Sequence, residues 1–423
     1  MQAMVSRLPI CGAVLLAIVA ATPVSGADGP SPPPDTTNRT QLIAQAQSGA
    51  AAQYGLAYQS YAGRDYARAL DLLRRPVLAG YAPAGLLLGY MYETGAGVKP
   101  DLAEARQWYE TAAATGDPIG LFNVGVIAVR QRDNGAAATA FRAAGEKGYA
   151  RAQAAYGQHL ETGQGVETNE AEAVTWYRKA AEGGDAVGAY FYGTAIVKGM
   201  GGVVSDLAEA AKWYRAAADQ NLAAAQNALG AFYAEGRGVP PDPVEAAAWF
   251  KKAADQGLPD GMNSYAGALD RGAGVARNVP AAITMYKRVA EYGLPSALHS
   301  LADHYFNGEG VQASATDAYY WATLAQRFYK PNDLKRDQLT ELKTAIDKNV
   351  TMGERVSLDR RVFTFTPKPE PALPTALTIP PSASRSAPSR AVESRAEPAR
   401  AVAPQVEPSP ASSSQFPEVQ IND

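Results

Sequence analysis

Five tryptophans divide this chain at a nearly constant interval. Trp108, Trp176, Trp213, Trp249 and Trp321 stand 68, 37, 36 and 72 residues apart. Each step is one or two multiples of about 36, so one structural unit recurs along the chain. Other positions keep the same beat. A small residue returns at Ala84, Gly120, Ala152, Gly188, Ala225, Gly261 and Ala297. Five residues later stand Gly89, Gly125, Gly157, Gly193, Gly230, Ala266 and Ala302. A Gly-x-Gly pair follows at Gly95/Gly97, Gly163/Gly165, Gly199/Gly201, Gly236/Gly238, Gly272/Gly274 and Gly308/Gly310. At 423 residues the chain is long for one ordinary core, which also favours repetition.

Each unit holds two apolar-periodic stretches, both long enough for a helix of three to four turns. Gly-x-Gly supplies the positive φ that ends the first helix and turns the chain. The acid or amide that follows, as at Asp101, Asn169, Asp206 and Asp242, is placed to cap the second helix. Small residues admit a close approach of helices, and pairs such as Trp108-Tyr109 are expected to fill the space between units. One helix pair cannot bury its face alone, so stacking must make the core continuous.

The stretch LGYMYETGAGVKPDLAEARQWYETAAATGD, from Leu88 to Asp117, resembles the Sel-1-like repeat, a relative of the tetratricopeptide repeat. The resemblance covers seven units over residues 82–330. A degenerate unit over 48–81, with Gly55, Tyr58 and Gly80, precedes them. The second of the seven is four residues shorter and carries Asp133-Asn134-Gly135 in place of Gly-x-Gly. Asn221 replaces a closing glycine, and Ala140 and Met285 stand where Trp is usual. The resemblance implies an all-α fold: a right-handed α-α superhelical solenoid.

The two ends differ from the repeats. Residues 1–27 read as a secretory signal: Arg7, an apolar run from Ile10 to Ala21, then Ser25-Gly26-Ala27. The run is shorter than the roughly 20 residues of a spanning helix. The one cysteine, Cys11, lies inside it, so no disulfide is expected in the mature protein. Residues 28–47 form a Pro-rich linker. Residues 331–363 read as a capping region, with Leu339, Leu342 and Ile346 at helical spacing. Residues 364–423 are rich in Pro, Ala and Ser and are expected to be disordered.

The formal charge of −3 argues against nucleic acid, which requires a basic face. His159, His299 and His304 lack metal-ligand spacing and are read as structural or surface residues. No nucleophile elbow, Walker loop or zinc-protease motif is present, so no catalytic residue, metal or cofactor is assigned.

The tetratricopeptide resemblance implies that the first helices line a binding surface. Three residues before the second small position lie Leu86, Phe122, Ala154, Tyr190, Asn227, Asn263 and His299. One residue after it lie Tyr90, Val126, Gln158, Thr194, Ala231, Gly267 and Asp303. Leu86, Tyr90, Phe122, Val126, Tyr190, Asn227, Asn263 and His299 are the candidate partner contacts, apolar early and polar late. The expected role is a non-enzymatic scaffold or adaptor, periplasmic or secreted, for protein partners of the cell envelope. A second reading is a peptidoglycan or exopolysaccharide accessory protein. A third, a hydrolase of the family's cysteine-rich branch, is opposed by the missing cysteines.

Overall fold

A computed structural model describes residues 49–369 apart from 76, 77 and 79. The signal segment, the Pro-rich linker and residues from 370 onward lie outside the described residues. Among the described residues there are eighteen α-helices and no strand. The first sixteen form eight consecutive pairs: α1 (Ala50–Ala62) with α2 (Tyr66–Leu73), α3 (Ala82–Thr94) with α4 (Leu102–Ala114), α5 (Pro118–Arg130) with α6 (Asn134–Glu146), and α7 (Ala150–Thr162) with α8 (Glu170–Glu182). They continue as α9 (Ala186–Lys198) with α10 (Leu207–Asp219), α11 (Ala223–Glu235) with α12 (Pro243–Asp255), α13 (Pro259–Arg271) with α14 (Val279–Ala290), and α15 (Pro295–Asn307) with α16 (Ala315–Phe328). Two helices close the array, α17 (Lys335–Asp347) and α18 (Met352–Thr364).

Local chemistry sets where these helices start and stop. The first glycine of each Gly-x-Gly takes the left-handed conformation at a helix end, as at Gly163 with φ 72°. The second helix then starts on a side-chain cap: Asp101 Oδ1 accepts from Ala103 N at 2.9 Å and Glu104 N at 3.1 Å. Pairs α1/α2 and α5/α6 lack Gly-x-Gly and turn more tightly. Arg64 and Arg132, both at φ 62°, take the left-handed position, and Asp65 and Asp133 cap the next helix. The short unit seen in the sequence is therefore a complete helix pair on a tighter turn.

Packing divides the small residues into two kinds. Gly89, Gly157 and Gly230 lie under the ring of Tyr109, Tyr177 or Phe250 from the second helix of the same pair. A Cβ there would come within 2.5, 2.6 and 2.7 Å of the ring. Gly120 and Gly261 instead face the preceding pair, where a Cβ would lie 2.5 Å from Ala113 N and 2.6 Å from Ala253 Cβ. The second aromatic of these doublets thus packs within its own pair and also reaches the next unit, where Tyr177 stacks on Phe191 at 5.1 Å and Tyr214 meets Phe232 edge to face at 5.1 Å. Tyr109, Tyr177 and Tyr214 are buried, each contributing about 1.5–3 kcal/mol. Trp176 does reach across units: its ring touches Tyr156 of its own pair at 5.3 Å, and a Cβ on Gly145 of α6 would be 3.2 Å from it.

First helices of successive pairs touch one another, as α1 with α3, α3 with α5, α7 with α9 and α11 with α13. Second helices make no comparable contact, so the first helices form the closer-packed layer. At the far end α17 buries Leu339 and Ile346, and α18 buries Val362, in one core with α14 and α16. The capping region therefore holds two helices where one was expected. Residues 365–369, expected in the disordered tail, also have partners. Phe365 packs on Phe328, and Lys368 N donates to Glu291 O at 2.8 Å. No helix among the described residues is long and apolar enough to cross a membrane.

Candidate functional site on the first helices

The two columns singled out in the sequence lie on the first helices, but their residues do not share one environment. Leu86, Phe122, Val126 and Tyr190 are buried, at 6, 4, 1 and 4% exposure. They are core residues and not open anchors for a partner, which corrects the expectation for the apolar half. Phe122 and Tyr190 lie against aromatic rings of their own second helices, and Phe122 also against the ring that precedes α7. Phe122 meets Phe141 at 5.4 Å and Tyr149 at 5.3 Å. Tyr190 meets Tyr214 at 5.8 Å, and burial pushes its hydroxyl well above the usual tyrosine range.

Tyr90, Asn227, Asn263 and His299 keep part of their surface. Asn227 and Asn263 occupy equivalent places in adjacent pairs. The Oδ1 atom of each is hidden from water and has no hydrogen-bond partner. Such an orphaned acceptor costs about 1–3 kcal/mol until a donor reaches it. His299 Nδ1 lies 3.4 Å from the Tyr329 hydroxyl, and burial lowers the ring's pKa, which favours neutral imidazole. Burial also pushes the Tyr329 hydroxyl up to about 12.

At the other end, Tyr90 belongs to a cluster that the sequence reading missed. Tyr61 stands 5.8 Å from Tyr66 and 6.3 Å from Tyr90, the latter edge to face. All three rings are half-buried. Glu93 lies beside them, accepting from Tyr109 Oη at 2.8 Å and pairing with Arg130 at 2.7 Å. Burial raises the Glu93 pKa, and the Arg130 charge opposes that rise. Tyr61 and Tyr66 belong to the degenerate first pair. Sliding α1 onto α3 by 32 residues places Tyr61 at the position of Glu93, a register readable in the sequence.

His159 and His304 lie two residues after the second small position of their units, and both rings are buried. Nδ1 of each faces a loop carbonyl, Gln164 O at 2.6 Å and Glu309 O at 3.2 Å. Both rings thus pin the Gly-x-Gly loop that follows their helix. No group of three or more His, Cys, Asp or Glu among the described residues could hold a metal ion.

The Sel1 repeat pattern matches residues 50–75, 83–117, 150–185, 186–222, 223–258, 259–293 and 295–325, more than half of the chain. The chain belongs to the Sel1 repeat family. The matches include the first pair and omit α5/α6, the pair that turns without Gly-x-Gly. Among curated relatives, a stretch of 122 residues is 33% identical to the chitin synthase regulator SKT5 of Malassezia restricta. That stretch spans 27% of this chain and 8% of the fungal protein. Among solved structures, c5321, a protective antigen of uropathogenic Escherichia coli with an SLR fold, is 24% identical with a TM-score of 0.45. The match covers 77% of this chain and 94% of that one. A Sel1 repeat protein from Oxalobacter formigenes is 28% identical with a TM-score of 0.41, over 65% of this chain and 99% of that one. Sel1 solenoids are typical of protein–protein interaction scaffolds and are generally non-catalytic.

Proposed function

We propose that this Sel1 protein is an exported, non-enzymatic scaffold of the cell envelope, periplasmic or secreted, that holds an extended segment of a partner protein along its first helices. The orphaned Oδ1 atoms of Asn227 and Asn263 carry this reading. A turn of either half-exposed amide presents its oxygen to a backbone N–H of an extended segment, and the amide also offers donors for the segment's carbonyls. His299 continues the same row on α15. The apolar N-terminal run followed by small residues supports export. A photo-crosslinking residue at Ala231, between the two Asn positions, tests the surface in living cells. Val244, exposed at the start of α12, is the control. Adducts are expected at position 231 and not at 244, and they disappear in the N227A/N263A double variant. Equal labelling at both positions refutes the reading.

One observation favours a second reading, a peptidoglycan or exopolysaccharide accessory protein. The half-exposed rings of Tyr61, Tyr66 and Tyr90 sit together beside polar groups, an arrangement on which sugar rings can stack. A relative named as a chitin synthase regulator lends this reading a precedent. Retention on purified peptidoglycan or exopolysaccharide that is lost in Y61A/Y90A supports it, and no retention by the wild type removes it.

A further inference from the structure

The closing helix α18 carries an apolar stripe that its own packing does not use. Among the described residues six large apolar side chains stand exposed, and three of them, Met352, Val356 and Phe363, belong to α18. Their offsets of four and seven residues place them on one helical face. Exposure is 75, 54 and 83%. What holds α18 in place lies elsewhere on the helix. It packs on α16, buries Val362 and sets Leu358 against the same core. A run of open apolar side chains along a whole helix marks a contact surface rather than ordinary exposure.

The free charges beside the stripe have one sign. Glu354 accepts from Thr351 N at 2.8 Å and Thr351 Oγ1 at 2.6 Å, within the helix cap. Asp359 accepts from Tyr319 Oη of α16 at 3.0 Å. Both carboxylates of α18 are thus engaged. Arg361 lies over the Tyr320 ring at 4.1 Å. Arg360, three residues before Phe363, and Lys348, four before Met352, have no side-chain hydrogen bond or ion pair among the described residues. Residues 335–369 hold eight Lys and Arg against five Asp and Glu, in a chain whose net charge is −3.

We propose that α18 is a docking surface for a lipid bilayer with anionic headgroups. Met352, Val356 and Phe363 enter between the headgroups, and Arg360 and Lys348 meet lipid phosphates while their stems lie along the apolar layer. The contact is peripheral, because 13 residues are too few to span a bilayer. Two other occupants fit the face less well. A second copy, paired face to face, would set unpaired cations against each other with no free carboxylate between them. A peptide needs a groove, and α18 offers a single ridge with its neighbour α16 behind it. The surface does not involve the Asn227 and Asn263 row and stands whether or not a partner binds there.

Flotation of the full chain with vesicles tests the surface. The protein is expected to float with equimolar phosphatidylcholine and phosphatidylglycerol and to stay behind with phosphatidylcholine alone. M352S/V356S/F363S should weaken partitioning more than tenfold, since each side chain loses most of its transfer from water. R360Q should weaken it about fivefold, the share of one cation at an anionic surface. V204S/V244S, which alters exposed valines elsewhere, should float like the wild type. These changes lie on exposed side chains, and an unchanged helical spectrum checks that each variant is folded. No flotation of the wild type with anionic vesicles, equal flotation with neutral ones, or flotation that survives the triple substitution overturns the proposal. A wild type that sediments as a dimer and a triple variant that sediments as a monomer assign the face to a second copy and also overturn it.

Discussion

Replacing Gly238 by alanine separates the strength of one inter-unit joint from ordinary turn chemistry. Gly238 is the second glycine of its Gly-x-Gly, at φ 68°. A Cβ there would overlap the carbonyl oxygen of Leu207, the first residue of α10 in the preceding pair. The obstacle is helix backbone, which cannot rotate away as a side-chain tip can. Left-handed backbone costs alanine about 1–2 kcal/mol. Forcing a methyl group into a packed contact adds about 1–3 kcal/mol. G238A should therefore destabilise by about 2–5 kcal/mol. Gly257 is the matched control: its φ is 82°, and a Cβ would meet nothing within 4 Å. G257A should lose only the backbone part, about 1–2 kcal/mol. Urea unfolding followed by far-ultraviolet circular dichroism gives both values, and hydrogen exchange locates the loss. Because each unit contacts only its neighbours, G238A should open α10 and α11 before the ends of the array. A cost for G238A no larger than for G257A would refute the role assigned to the second glycine.

Two further outcomes follow from buried or capping groups. Burial lowers the His159 pKa, so the unfolded chain, with its ordinary value near about 6.5, takes the proton first as pH falls. Stability contributed by the neutral ring is present above about 6.5 and is lost on acidification. H159F should reduce the fall in urea midpoint between about pH 7.5 and about pH 5, and an unchanged fall assigns it to other groups. Asp206 accepts from Ala208 N at 2.9 Å and Glu209 N at 3.1 Å, so D206A should cost about 1 kcal/mol in the same unfolding assay.

Much of the architecture is written in short-range signals. The Trp interval, the Gly-x-Gly pairs and the capping acids act within one turn of chain, and the helices start and stop where they point. Even the turn without glycine left a mark, Asp133, which caps α6 at Ala136 N.

Which residues face a partner was not readable in the same way. Spacing places Phe122, Tyr190, Asn227 and Asn263 on one side of the first helices, yet it carries no measure of how closely those helices approach. What covers each position is set by tertiary contacts: Phe141 and Tyr149 lie on Phe122, and Tyr214 lies on Tyr190. These contacts bury Phe122 and Tyr190, whereas Asn227 and Asn263 keep part of their surface and have unpaired oxygens. The sequence by itself determined the repeat, the helix ends and the family, because these rest on neighbours a few residues apart. Only the tertiary structure decided which rings are core and which polar groups lack a partner, because exposure depends on helices about 36 residues away along the chain.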